Sequence, residues 1–336
     1  MSVTLKELAL EAGVSAATLS KVINNRPGVS DEVRAKLLVL LEEKGYWKRD
    51  MASVWENKGA FVNLVLRNNH GFAADPFYAI ISEGVTRELQ KEKIGVRYYI
   101  QPETTIGDQA FDEIFKNVYS VGNILIGADF APDVFSRLEK IHTPTVLVDC
   151  VHPAFSSVNP DHFGGAKEAA AHLLAAGHRR LLFLAGPLAQ SSIAERYRGC
   201  CAAAEQAGAA VQCVECRGVG IEDGEQAVCQ LSETDCTALF AATDKLALGA
   251  LKALRQRGLR VPQDLSVMGF DDMEWSRYAE PPLSTVHVPK TRLGKLAAQL
   301  LMNLLQDPGM ERVTMNISTR LVLRGSIQER ARQAGE

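Results

Sequence analysis

The 336-residue sequence has no apolar run of the roughly 20 residues that a membrane-crossing helix needs. Its first residues lack the basic, apolar and small-residue succession of an export signal, so the expected location is the cytoplasm. Cysteine is sparse: seven residues, an odd count with no framework spacing, and Cys213 and Cys216 form a lone Cys-x-x-Cys. A zinc site would need a second pair, and a redox site a thioredoxin-like context. Neither is visible, so no metal is expected and the cysteines read as buried or incidental thiols. No Gly-x-Gly-x-x-Gly follows a strand-like run, no Walker-type lysine loop occurs, and there is no Gly-x-Ser-x-Gly elbow. Nucleotide-dependent chemistry is therefore not indicated, and no cofactor is expected. Nor is there an excess of positive charge. The formal net charge of −3 argues against a bulk electrostatic magnet for nucleic acid or membrane.

What is present is ordinary globular material, 46% hydrophobic and 23% charged, long enough for two or three domains. The charge is unevenly spread: the first fifty residues carry net +1 and the rest −4. In the first of these stretches, Leu5, Leu8, Ala9 and Ala12 fall on one face of a helix. Thr4 with Glu7 is a capping-box pattern, and Gly13 is the stop. Ser15 can cap a second helix, with Leu19, Val22 and Ile23 inward. Ser30, Asp31 and Glu32 open a third, with Val33, Leu37, Leu40 and Leu41 inward and Gly45 as its end.

Two short helices joined by a Gly-Val-Ser turn suit a helix-turn-helix. The second helix of such a pair must enter a DNA major groove about 12 Å wide, which calls for compact hydrogen-bonding side chains on its outer face. Ser15, Ala16, Ala17, Thr18, Ser20 and Lys21 supply that face. On spacing alone the alternative is a generic three-helix bundle with solvated hydroxyls.

The segment "VTLKELALEAGVSAATLSKVINNRPGVSDEVRAKLLVLLEEKGY" resembles the DNA-binding head of the lactose-repressor/galactose-repressor family. The likeness runs through the Ala-Gly-Val-Ser turn, through Thr18, Ser20, Val22 and Asn24 of the recognition helix, and through the Val-Ser before the third helix. It implies that Ala16 and Ala17 sit where the family sets base preference, and that Lys21 holds a position usually occupied by arginine. Ser15, Thr18, Ser20 and Asn24 would meet phosphates or base edges, and Thr4 belongs to the same implied DNA-binding set. In "WKRDMASVWEN" the family's Pro-Asn is replaced by Lys48 and Arg49, and Trp55 stands where the family carries a leucine wedge for the minor groove. Trp55 either unstacks a base step, as apolar wedges do, or packs within the protein.

From Phe61 onward, short apolar runs alternate with helical stretches. The runs are "FVNLVL", "VRYYI", "NILIGA", "PTVLVDC", "RLLFLAG", "CTALFAA" and "LSVMGF"; the helices include Pro76–Leu89, Gly164–Ala176, Ala194–Gln206 and Asp244–Arg257. This alternation predicts doubly wound parallel sheets, and about 270 residues suffice for two. Ligands of such sheets sit beyond the carboxyl ends of the strands, which makes Asp129, Asp149, Asp161, Thr243, Asp244, Asp271 and Asp272 candidates for holding a hydroxylated ligand. Asp75, Asp161 and Asp244 could instead cap helices. His172 and His178 read as structural.

"HLLAAGHRRLLFLAGP", "ERYRG", "ATDKLALGALKALRQRGLRVPQDLSVMGFDD" and "PPLSTV" are similar to the effector domain of the same family, and to periplasmic sugar-binding proteins. The resemblance implies an α/β fold in which an all-α helix-turn-helix head precedes two doubly wound subdomains, with an effector held between two lobes. Arg196 would grip the ligand, Asp271 would accept its hydroxyls, and Phe77 and Tyr78 would stack on it, their alternative being ordinary helix packing. Asp75, Asp129, Asp161 and Thr243 complete the implied effector set. Two departures concern the ligand: the family's Asn-Asp pair is Thr243-Asp244, and the loop "RNNHGFAAD" is long.

The expected organisation is a DNA-binding domain over 1–46, a hinge over 47–59 and a two-lobed effector and dimerisation domain over 60–330. The expected function is that of a non-enzymatic transcriptional regulator, a repressor of a carbohydrate-utilisation operon. Its expected partners are double-stranded operator DNA, a sugar or sugar derivative and a second copy of itself, with no membrane. A sugar-binding receptor for transport or chemotaxis would share the two lobes but carry an export signal and no head. Glycoside hydrolysis would need two facing carboxylates, and no pairing of acid with nucleophile is apparent in the sequence.

Overall fold

The computed structural model describes residues 5–23, 28–43, 60–67, 76–101, 103–117, 119–127, 130–141, 143–231 and 235–330. Helices α1 (Leu5–Glu11), α2 (Ala16–Ile23) and α3 (Asp31–Glu43) form the head. Gly13 sits at φ +65°, a conformation glycine takes without steric cost, and the chain turns there toward α2. Ser15 caps α2: its hydroxyl oxygen accepts the Thr18 amide at 2.9 Å. Leu8, Ala9, Leu19, Val22, Leu37 and Leu41 are the buried core of the three helices. Val33, expected inside, is exposed, while Arg34 is buried. The register of α3 is thus rotated from the simple apolar reading, and Leu37 and Leu41, one turn apart, set its inward face.

Residues beyond the head divide between two compact units, the chain passing from one to the other after Ser157, Leu293 and Val313. In the first unit, β1 (Phe61–Arg67), β2 (Gly95–Gln101), β3 (Ser120–Ile126) and β4 (Thr145–Val148) form a parallel sheet in the order β4-β3-β1-β2. Strands β1, β3 and β4 are buried along almost their whole length, as sheets covered on both faces require. The polar residue in the middle of "FVNLVL" is held in the core through its amide nitrogen: Asn63 Nδ2 donates to the Ile114 carbonyl at 2.6 Å and to Asn123 Oδ1 at 2.9 Å, and Asn123 Nδ2 donates to Thr145 Oγ1 at 3.2 Å, while the buried Asn63 Oδ1 accepts no hydrogen bond among the described residues. Helices α4 (Pro76–Lys91), α5 (Asp108–Phe115) and α6 (Pro132–Leu138) alternate with these strands.

In the second unit, β6 (Arg180–Ala185), β7 (Ala210–Glu215), β8 (Ala238–Ala241) and β9 (Ser266–Met268) form a parallel sheet in the order β7-β6-β8-β9. Its helices are α7 (His162–Ala175), α8 (Ser191–Gln206), α9 (Ile221–Cys229) and α10 (Asp244–Gln256). Helices α7 and α8 meet backbone to backbone at Gly199, where an added Cβ would lie 2.3 Å from the Phe163 carbonyl oxygen. The chain crosses between units through β5 (Ser156–Pro160), α11 (Lys290–Gln306) and the stretch leading into β11 (Thr314–Ile317). Strands β10 (Thr285–His287) and β12 (Arg320–Val322) pair antiparallel.

All seven apolar runs contain strands, and the four helices lie within a few residues of their expected bounds. Strands β5, β7, β10, β11 and β12 were not foreseen. β7 alternates half-buried with exposed residues, and β10 and β12 have three residues each, so none makes a continuous apolar run. Among the described residues no helix is long and apolar enough to cross a membrane.

Candidate functional site

The outer face of α2 carries the first candidate surface. Ser15, Ala17 and Lys21 are exposed, and Thr18 and Ser20 are half-buried. The Ser15 and Thr18 hydroxyls lie 2.8 Å apart, so one of them donates to the other and the pair is fixed before any contact is made. Ala16 packs partly against the head's core, which leaves Ala17 and Lys21, one turn apart, as the more accessible of the implied base-reading positions. Thr4, Asn24 and Trp55 lie outside the described residues.

The second candidate surface is in the second unit, at the carboxyl ends of its strands. Arg196 projects from α8 and is buried. Its Nε donates to His162 Nδ1 at 3.2 Å, its Nη1 donates to the Ala242 carbonyl at 2.5 Å, and its Nη2 forms an ion pair with Asp271 Oδ1 at 3.0 Å. The guanidinium also lies over the Phe270 ring, 3.9 Å from its centroid. Residues from α7, α8, the end of β8 and the turn after β9 thus converge on one planar cation.

Asp271 and Asp272 both take positive φ, +116° and +51°, where residues with a Cβ are disfavoured. The turn is clamped from several sides. The Asp271 amide donates to the Val286 carbonyl at 2.9 Å. Lys290, buried at the start of α11, donates to the carbonyls of Asp271, Asp272 and Val288. The Asp272 carboxylate pairs with Arg324 at 2.5 Å and His287 at 2.8 Å. Burial acts to raise the Asp272 carboxyl, but hydrogen bonds and charge from Arg324 and His287 outweigh it and hold the group below its ordinary range. Burial lowers the Lys290 ammonium against the opposing pull of Asp271, Asp244 and Asp272.

Asp244 belongs to this scaffold. It is fully buried, accepting from the Met273 amide at 2.7 Å, Ser276 Oγ at 2.6 Å and Thr285 Oγ1 at 2.5 Å. Burial first, and the Asp271 charge second, push its carboxyl up to about 7. The Thr243 hydroxyl accepts from the Leu246 amide at 3.2 Å and caps α10. Asp161 caps α7, accepting from the Gly164 amide at 2.8 Å. His178 is buried with Nδ1 2.9 Å from Thr237 Oγ1, a structural placement.

In the first unit, Phe77 is buried and Tyr78 half-buried at the start of α4, their rings edge to face at 5.2 Å. The Tyr78 hydroxyl donates to Asp149 Oδ2 at 3.1 Å, and Asp149 follows β4 at φ +58°. Asp149, a candidate by its place after an apolar run, thus partners Tyr78 within the first unit. Asp75 and Asp129 lie outside the described residues. His162, Phe270 and Lys290 were missed; position after Asp161 is the one sequence signal His162 offered.

Residues 4–48 match the family model of bacterial regulatory proteins, lacI family, and residues 170–327 match that of the periplasmic binding protein-like domain. The ribose operon repressor of Haemophilus influenzae is 33% identical over 96% of this chain and 98% of its own length. The chain belongs to the lacI family. Two solved structures agree in fold and sequence. The transcriptional regulator CelR–cellobiose complex is 28% identical with a TM-score of 0.70, over 97% of this chain and 100% of that one. The lac repressor dimer bound to operator and the anti-inducer ONPF is 25% identical with a TM-score of 0.72, over 98% and 100%. In this lacI-family chain the recognition-helix face falls inside the first matched segment, and Arg196, Asp244, Asp271 and Lys290 fall inside the second.

Proposed function

We propose that this lacI-family regulator represses a carbohydrate-utilisation operon, and that a neutral, sugar-like effector sets its affinity for a two-fold operator. The observation that carries the effector class is the buried pairing of Arg196 with Asp271. A lone buried arginine would attract an anion such as a phosphate. Here the guanidinium charge is met within the unit, so the pair presents a fork of donors beside a carboxylate acceptor with little net charge, the chemistry of sugar hydroxyls. Burying such a pair costs desolvation, which is justified where a ligand uses its polar atoms. The Haemophilus relative is named for ribose and the CelR structure holds cellobiose, which favours the same class.

Effector contacts are assigned to Arg196 and Asp271 in the second unit, where Thr243 and Asp161 contribute by fixing helix starts. The action is binding without turnover, in the cytoplasm, where the DNA is. A thermal-shift series of neutral sugars, sugar phosphates and nucleosides tests the class. A bound ligand at a hundredfold excess over Kd stabilises by about 2.7 kcal/mol. A neutral sugar should raise the melting temperature; stabilisation by sugar phosphates or nucleosides alone would overturn the assignment.

A two-fold operator calls for two heads. We assign the self-association surface to the outer face of α4 and edge strand β2. Tyr98 and Ile100 are 45% and 43% exposed on that strand, beside a groove of about 540 Å³ that also reaches Ile80, Glu83 and Arg87. Glu83 and Arg87, one turn apart and paired with each other at 2.5 Å within the chain, put both charges on this face, so in a two-fold contact each could exchange that partner for its opposite on the other copy.

A further inference from the structure

Helices α7 and α8 cross backbone to backbone at Gly199, beside the Phe163 carbonyl. His162 precedes Phe163, and Arg196 stands about one turn before Gly199, so the tight crossing brings these two side chains together. Arg196 Nε donates to His162 Nδ1 at 3.2 Å, and both residues are buried. The start of α7 is itself held. The Asp161 amide donates to the Ile317 carbonyl at 2.9 Å, and the Asp161 carboxylate caps the helix at the Gly164 amide. At Gly165 an added Cβ would lie 2.3 Å from Thr319 Oγ1 and 3.3 Å from Phe270 Cζ, so the first turn of α7 rests against the ring over which the guanidinium lies. His162 is thus presented from a fixed backbone.

A guanidinium carries its N–H donors in a fixed fork. Here Nε is taken by His162, one Nη1 donor goes to the Ala242 carbonyl, and Nη2 faces Asp271. Nη1 and Nη2 each carry a second hydrogen, and the plane of the group sets where those hydrogens point. Nε is the pivot of that plane, so an acceptor fixed on it aims the outer donors. An arginine nitrogen only donates, so Nδ1 is the acceptor and the imidazole proton sits on Nε2. The anchor therefore takes a donor without taking charge. A carboxylate in the same place would compete with Asp271 for the guanidinium, whereas the imidazole leaves that pairing intact.

We propose that His162 is a positioning residue of the effector site, a neutral anchor whose Nδ1 holds Arg196 Nε and so aims the Nη donors at sugar hydroxyls. Donors fixed in advance lose less freedom when a ligand arrives, which is where the affinity comes from. Without the anchor a buried Nε–H is left to find another acceptor, and Asp271 is the charged one beside the group. Turning toward it would consume the carboxylate that ligand hydroxyls need. The effect on sugar affinity rests on the effector reading of Arg196 with Asp271; the anchoring contact does not.

The test uses the full-length chain, with ribose, cellobiose and the other neutral sugars of the thermal-shift series as probes. His162→Asn places an amide oxygen where Nδ1 stood, His162→Leu fills the space without an acceptor, and His162→Asp adds charge to the shape of His162→Asn. For a sugar that binds the wild type, calorimetry should show affinity reduced about tenfold or more in His162→Leu, the worth of one hydrogen bond to a charged group, and largely restored in His162→Asn. Full affinity in His162→Leu, or a tenfold loss in His162→Asn with a wild-type melting curve, would overturn the anchor. His162→Asp should bind more weakly than His162→Asn; equal affinity would overturn the requirement that the anchor be neutral. The contact is also read without ligand. In a chain carrying isotope-labelled arginine, the Arg196 Nε–H signal, assigned by its loss in Arg196→Lys, should exchange slowly with water in the wild type and in His162→Asn, and several-fold faster in His162→Leu. Equally slow exchange in His162→Leu would overturn the anchor. Absence of any sugar binding to the wild type would instead count against the effector reading and leave the exchange readout intact.

Discussion

At the scale of single residues, the proposed effector site is a desolvated ion pair, Arg196 with Asp271. Asp271→Asn keeps the shape of the carboxylate and removes its charge, so ligand hydroxyls should lose about 1–3 kcal/mol of binding. Arg196→Ala should cost at least as much, because no other side chain reproduces the fork that meets His162, Ala242 and Asp271 together. It also strands a buried carboxylate, for which about 3–5 kcal/mol of destabilisation is typical. Calorimetric titration beside thermal unfolding separates the two effects: Asp271→Asn with full ligand affinity and a normal melting curve would remove Asp271 from the site. Asp244 gives a pH signature. Its folded carboxyl titrates near 7 and an unfolded aspartate near about 4. The folded state therefore favours the protonated form. Its contribution is fully present below about 4 and is lost as pH rises toward 7. Melting temperatures across that window should fall less steeply with rising pH in Asp244→Asn than in the wild type; equal slopes would show that its three donors hold it ionised. Arg196 and Asp271 were legible in "ERYRG" and "GFDD" through family likeness. Lys290, His162 and Phe270 were not, because their roles arise from positions 162, 196, 270 and 290 meeting in space, which no local pattern encodes.

At the scale of elements, α2 is the test case. Ser15 caps it, and Ser15→Ala should cost about 1 kcal/mol of head stability, measurable by chemical denaturation. Lys21 is exposed on the outer face, so Lys21→Ala should weaken binding to a specific site by about 1–3 kcal/mol if it meets a guanine edge, and weaken binding to random DNA less. Equal losses on both DNAs, read by fluorescence anisotropy at fixed salt, would make it a phosphate contact. Elements with long periodic patterns were readable. Gly13, the Ser15 cap and Leu8, Leu19 and Leu37 specify the head locally, and the buried runs of β1, β3 and β4 announce a sheet covered on both faces. The misread positions lack such a signal. Val33 looks like a core residue by type, yet tertiary packing turns α3 so that Arg34 is buried instead. The alternation in "AVQCVE" arises because successive side chains of β7, the edge strand of its sheet, point to opposite faces and only one of these is partly covered.

At the scale of the whole molecule, the chain couples a DNA-reading head to two α/β units linked by three passages of the backbone. Self-association through α4 and β2 makes a direct prediction. Tyr98→Asp places a charge on the exposed edge and should shift sedimentation from dimer to monomer, while Arg87→Glu should do the same and be restored by adding Glu83→Arg. A dimer persisting in Tyr98→Asp would move the interface elsewhere. Ligand-controlled DNA affinity requires the effector to bind two conformations of the protein unequally, and the size of the response equals that inequality. The most direct measurement is anisotropy of a labelled operator selected from random DNA by the full-length chain, titrated with and without the sugar that stabilises it, at one salt concentration. The sugar should change specific affinity by about 5–150-fold, the usual range of coupling between sites, and leave binding to random DNA nearly unchanged. Identical operator affinities at saturating sugar would contradict it.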